Sequence, residues 1–187
     1  MKNLLCLWAL IFAVSAPAAS QDQSEPDISS PNWSLVDAQN ITHQFPQQAI
    51  ENQQVTVLFF WATWCPYCKQ LMPHIQSALY QYQDTLNLKV YALNINEDAD
   101  PQAYLNSQGY SFKLFPEAEK VAKIYQIHGT PGVLIFNQKG ELVFDLRTVQ
   151  SNHLVNQKAS NGAKSVRLAP YWAAEIRKAL QDLLTKT

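Results

Sequence analysis

Val55-Thr56-Val57-Leu58-Phe59-Phe60-Trp61-Ala62-Thr63-Trp64-Cys65-Pro66-Tyr67-Cys68 is the stretch that decides the fold. Its opening run, residues 55–61, is almost wholly apolar and rich in β-branched and aromatic side chains, as in a strand buried on both faces. The strand gives way to a Cys-Pro-Tyr-Cys turn. Beyond it Cys68, Leu71, Met72, Ile75, Leu79 and Tyr82 recur at helical spacing. Pro66 suits a first helical turn, and Pro73 removes a donor further along, which predicts a kink.

That placement gives the cysteine spacing its chemical meaning. Cysteines three apart on a first turn share one face, with α-carbons about 5 Å apart, inside the range a disulfide can bridge. Unpaired N–H groups and the positive end of the helix dipole favour the thiolate at Cys65, and the thiolate is the nucleophile. Cys68 belongs to the inward stripe, so it is expected to be the more buried and to resolve a mixed disulfide formed on Cys65. A bridge over two intervening residues closes almost no chain and is no structural cement. A closed zinc site would need two more ligands, and His43, His74, His128 and His153 form no compact ligand pair. The rival use of the same pair is non-catalytic: holding a soft metal such as copper(I) between the thiolates, or gripping a client without turnover.

Outward from this centre, the segments fall into an alternating pattern. Residues 33–36 and 41–45 flank a polar Asp37-Ala38-Gln39-Asn40 turn and predict a hairpin. Residues 89–94 predict a second buried strand, 101–108 a short helix ended by Gly109, and 116–125 a further helix. Two strands over 132–137 and 141–148, joined across Gln138-Lys139-Gly140, read as a terminal hairpin, which makes the sheet mixed. Residues 150–169 show no clear period and predict a long surface loop, a kind that is often functional or mobile. Trp172, Ile176, Leu180 and Leu183 or Leu184 then predict a C-terminal helix over one sheet face.

At the N-terminal end, Lys2, an apolar run over 4–14 and the small residues 15–20 follow the order of a secretory signal, with cleavage expected after Ala18. The apolar run falls short of the roughly 20 residues that span a bilayer. Residues 1–18 are thus read as signal peptide, 19–31 as a disordered lead-in and 32–187 as one domain. Cleavage would take Cys6 with it and leave Cys65 and Cys68 as the remaining cysteines. A formal net charge of −1 without basic runs argues against nucleic acid as a partner. The glycines are scattered, so no phosphate-cradling loop can be built from them. No cofactor is expected beyond the redox-active cysteine pair itself.

The residues Phe60 to Lys69, with Pro73 downstream, resemble the active-site strand, redox turn and kinked helix of the thioredoxin superfamily, especially its exported TlpA-like branch. Ile127-His128-Gly129-Thr130-Pro131, the strand after it and Lys139-Gly140-Glu141 are similar to that family's cis-proline loop and terminal hairpin. The resemblance implies an α/β thioredoxin-like fold, with a central mixed sheet flanked by helices, an N-terminal β-hairpin and a helical insertion over residues 94–125. It implies a protein-disulfide oxidoreductase with Cys65 and Cys68 catalytic, and with Trp64, Pro66, Tyr67, Thr130 and Pro131 forming the substrate surface. Pro131 would be cis, and Thr130 would pair with a substrate segment as an added strand. His128 would either assist the thiolate, if charged, or be a solvated loop residue. The expected partners are cysteine-containing exported clients and a membrane thiol electron donor; the expected state is a periplasmic or otherwise exported soluble monomer, working as a reductase.

Two departures stand out. The family commonly places an acid six residues before the first active-site cysteine or three after the second, and here those positions hold Phe59 and Leu71. Cys68 would then lack a nearby base, or take one from water or from an acid elsewhere, of which Glu117 and Glu119 are examples. The acidic motif of dedicated cytochrome c maturation members is not evident beside Pro131 either.

Overall fold

The computed structural model describes residues 31–185. The signal peptide and nearly all of the lead-in expected from the sequence lie outside the described residues. Strand β3 (Thr56–Trp61) is buried along its whole length. Its alternate side chains feed two separate cores: Val57, Phe59 and Trp61 point to one, Leu58 and Phe60 to the other. This is the pattern expected of a strand covered on both faces. β4 (Lys89–Asn94) and β5 (Lys113–Phe115) continue the sheet in parallel on one side, while β6 (Gly132–Phe136) and β7 (Leu142–Asp145) lie antiparallel on the other. The order is β5-β4-β3-β6-β7, a mixed sheet.

One face is covered by α2 (Pro66–Tyr82) and α5 (Asn161–Thr185), whose Leu71, Met72, Ile75, Ala173, Ile176 and Leu180 enter the first core. The buried residues of α2 include every member of the stripe expected from the sequence, and the helix runs through Pro73. α3 (Pro101–Gln108) is capped by the Asp100 side chain and ends at Gly109 with φ 70°, a left-handed conformation that costs glycine little. The opposite face carries α4 (Glu119–Ile124), the short α1 (Gln47–Glu51) and the separate β1–β2 hairpin (Trp33–Val36, Thr42–Phe45).

The hairpin is pinned by the buried carboxylate of Asp37. It accepts from the Gln39 and Ile41 N–H groups at 2.9 Å each, pairs with His43 Nε2 at 2.7 Å, and accepts from Lys113 Nζ on β5 at 3.2 Å. Burial pushes this carboxyl up, but the bonds from Ile41, His43, Lys113 and Gln39 outweigh it and hold the group well below the usual carboxylate range.

The predicted loop over 150–169 is corrected in its second half: α5 starts at Asn161, well before Trp172. Its early buried face is made of Ser165, Leu168 and Ala169, small or single residues that carry a weak hydropathy signal. Pro170 stands exposed inside the helix, where packing of the rest of the stripe outweighs one missing bond. The first half, 151–160, is non-repetitive apart from a short 3-10 turn, Asn152–Leu154. The segment predicted as strand to residue 148 ends instead at Asp145 and passes into a 3-10 turn, Leu146–Thr148. The small elements α1 and β5 were beyond the sequence reading, since three to five residues carry no usable period.

Candidate redox site

β3 and β4 are parallel, so their C-terminal ends open at the same edge of the sheet, where connecting loops can gather functional groups. The redox turn follows β3, and the loop 95–99 follows β4. β6 runs antiparallel to β3 with Gly132 opposite Phe60, which brings Thr130 and Pro131 to that same edge. The Thr130–Pro131 peptide is cis, as is Phe45–Pro46. Gly132 is tightly packed there. A β-carbon would meet Ile127 Cγ2 at 3.0 Å and Phe60 at 3.3 Å, so any other residue would need those side chains to give by a few tenths of an ångström. Arg147 steadies the preceding loop by donating from Nη1 to the carbonyls of Tyr125 and Gln126, while its Nε bonds Asp145.

Cys65 caps α2 and Pro66 occupies its first turn. The cysteines form a disulfide with α-carbons 5.3 Å apart, close to the separation the helical spacing requires. Cys68 N–H donates to Cys65 Sγ at 3.1 Å. The sulfur of Cys65 therefore accepts a backbone N–H at a helix start, an environment that stabilises a thiolate. Both cysteines are buried, Cys65 at 1% and Cys68 at 0% exposure, so the expected contrast between an accessible first thiol and a hidden second one is absent in this conformation. Trp64 is 49% exposed beside them, with Nε1 donating to the Asn96 carbonyl at 2.8 Å. Tyr67 is half-buried; its Oη donates to Asn161 Oδ1 at 3.1 Å, and its ring lies 6.0 Å from that of Trp172. Thr130 and Pro131 are half-buried, and His128 is exposed.

The acid bonded directly to the redox turn is Glu97. Glu117 is exposed, and Glu119 Oε1 is engaged by the Asn96 N–H at 2.9 Å. Glu97 accepts from Thr63 N at 2.8 Å, Thr63 Oγ1 at 2.6 Å and Asn94 Nδ2 at 2.7 Å, and from the Asp98 and Ala99 N–H groups. Burial pushes its carboxyl up, yet the bonds from Thr63, Asn94 and Asp98 prevail and hold it below the ordinary glutamate range. Glu97 thus clamps the residues just ahead of Cys65 onto the end of β4. In sequence it sits in an Asn-Glu-Asp run that reads as a solvated turn, and its partner Thr63 is 34 residues away, so no local signal marks it. Among the described residues no group of three or more His, Cys, Asp and Glu side chains gathers as a metal site. No helix among them is long and apolar enough to cross a membrane.

A disulfide-linked cysteine pair at a helix start, at the same open edge of a mixed five-stranded sheet as a proline loop, defines a thioredoxin-like domain. The chain belongs to the family described as the thioredoxin-like domain, whose model matches residues 44–158. It is 31% identical to thiol-disulfide oxidoreductase ResA of Halalkalibacterium halodurans over 88 residues, 46% of this chain and 49% of that protein. It is 25% identical to sporulation thiol-disulfide oxidoreductase A of Bacillus subtilis over 150 residues, 75% of this chain and 87% of that one. The chain thus spans about half the length of relatives such as ResA. The fold is shared with a Chlorobium tepidum protein provisionally named thiol:disulfide interchange protein DsbE, with a TM-score of 0.62 and 17% identity over 83% of this chain and 95% of that one. These names place the relatives within the TlpA-like branch to which the motifs pointed.

Proposed function

We propose that this protein is an exported thiol-disulfide oxidoreductase that works mainly as a reductase of cysteine-containing exported proteins. The observation that carries the reading is the Cys65–Cys68 pair at the start of α2, with the Cys68 N–H directed at Cys65 Sγ. In the reduced protein the Cys65 thiolate attacks one sulfur of a client disulfide. A Cys65–client bond forms, and the other client sulfur leaves as a thiolate that takes up a proton. The Cys68 thiolate then attacks Cys65 Sγ, which closes the intramolecular disulfide and releases the second client thiol. Two electrons pass from the protein dithiol to the client, and a membrane thiol donor restores the dithiol. The chemistry resides in the sulfurs and calls for no cofactor.

Trp64, Pro66, Tyr67, Thr130 and Pro131 are assigned as the surface that holds the client. Their shared position at one sheet edge supports this, and the Thr130 backbone is suited to pairing with an extended client segment. The signal-like N-terminus supports export. The test is capture with Cys68→Ala, which blocks resolution and is expected to leave Cys65 covalently joined to its clients in the exported fraction. A double variant lacking both cysteines is the control. If the single variant yields no more thiol-sensitive adducts than the double, the proposal fails.

A further inference from the structure

A buried attacking sulfur poses a question of access. Residues 151–161, which lead from the 3-10 turn after β7 into α5, reach the redox turn through Tyr67, the residue that stands between Pro66 and Cys68. This strap is tethered at both ends to two aromatic residues, Trp172 and Tyr67, that meet each other. Trp172 Nε1 donates to the buried Ser151 Oγ at 3.1 Å, the Trp172 ring faces Tyr67, and Tyr67 Oη donates to Asn161 at 3.1 Å. Residues 151–159 bond among themselves, Leu154 N to Ser151 O, Gln157 Nε2 to Asn152 O, Lys158 N to Asn156 Oδ1 and Ala159 N to Asn156 O, each 3.0 Å, while Ser160 joins the start of α5 by accepting from Lys164 N at 3.0 Å and Ala163 N at 3.3 Å. The strap pairs with no strand. Such a segment can swing as a unit once an end is released, because its internal bonds travel with it while few bonds to the domain must break.

Resting on the oxidoreductase reading, we propose that residues 151–161 form a specificity strap. Latched through Tyr67–Asn161 and Ser151–Trp172, it admits to Cys65 a thin partner, a cysteine within an extended peptide segment, and excludes a disulfide displayed on a bulky folded surface until the latch opens. Tyr67, between the two cysteines, is the point where the strap and the redox turn meet.

The experiment uses the full chain with Cys68→Ala, so that Cys65 is the reactive thiol of the folded domain, and compares two reagents of the same chemistry: N-ethylmaleimide and a maleimide carried on a polyethylene glycol chain. Peptide mapping by mass spectrometry follows the Cys65 rate. The closed strap makes the bulky reagent much slower than the small one, relative to the ratio on an unfolded cysteine peptide. Asn161→Ala removes an exposed latch and is expected to narrow that gap by about fivefold, the factor a typical net hydrogen bond controls. Ser151→Ala acts on the other tether and gives an independent second variant, with the unfolding midpoint checking that each is folded. A bulky-to-small ratio equal to that of the peptide in the parent protein, or one unmoved by both substitutions, overturns the strap. Because alkylation needs no client, a normal gating pattern with no client adducts would instead count against the oxidoreductase reading and leave the strap standing.

Discussion

Replacing Glu97 with alanine removes a carboxylate on which five hydrogen bonds converge. The Asp98 and Ala99 N–H groups are on exposed residues and can turn to water, so their loss costs little. Thr63 and Asn94 are 9% and 2% exposed and cannot do so. Leaving a buried donor unpaired costs about 1–3 kcal/mol, so two orphaned sites put the change near 3 kcal/mol. For a domain of this size that lowers the unfolding midpoint by about 6–12 °C. Glu97→Gln keeps one acceptor oxygen, and about half the loss is expected. The pH dependence has a definite sign. The folded carboxyl titrates below its unfolded value, so its contribution is complete above about pH 4.3 and disappears as pH falls through the lower folded value. The gap between parent and Glu97→Ala should therefore be wide at neutral pH and close on the acid side. Thermal unfolding followed by circular dichroism across that range measures both effects. Midpoints within about a degree of each other at neutral pH, or a gap that persists undiminished into strong acid, would refute the reasoning.

Two further perturbations test other parts of the scaffold. Asp37→Ala should destabilise by about 2–4 kcal/mol, since it strips the buried acceptor from His43, Lys113 and two turn amides; because the folded carboxyl is depressed, the parent's advantage is full above about pH 3.9 and is lost below it, so acid unfolding of the variant should show a smaller drop than that of the parent. Gly132→Ala should cost about 1–3 kcal/mol in urea unfolding by pressing on Ile127 and Phe60, and pairing it with Ile127→Val should recover part of that loss; no recovery would mean the contact at 3.0 Å is not the source.

What could be read from the chain alone was whatever depends on neighbours in sequence. A buried strand, a proline-started helix and two cysteines three residues apart are local facts, and periodicity turns them into a helical face and a dithiol before any tertiary contact is known. The stripe from Cys68 to Tyr82, the strand 89–94 and the Gly109 stop were legible for that reason. The N-terminal half of α5 was not. Its buried positions include Ser165 and Ala169, and its Pro170 is tolerated because packing of the rest of the stripe outweighs one missing bond. Which acid steadies the redox turn was equally out of reach, because Glu97 meets Thr63 only when β3 and β4 align in parallel. Tertiary structure also decided how hidden Cys65 is. Exposure depends on what the rest of the chain lays over a residue, and Cys65 is buried in a core that draws Ala169, Ala173 and Ile176 of α5 from more than 100 residues away.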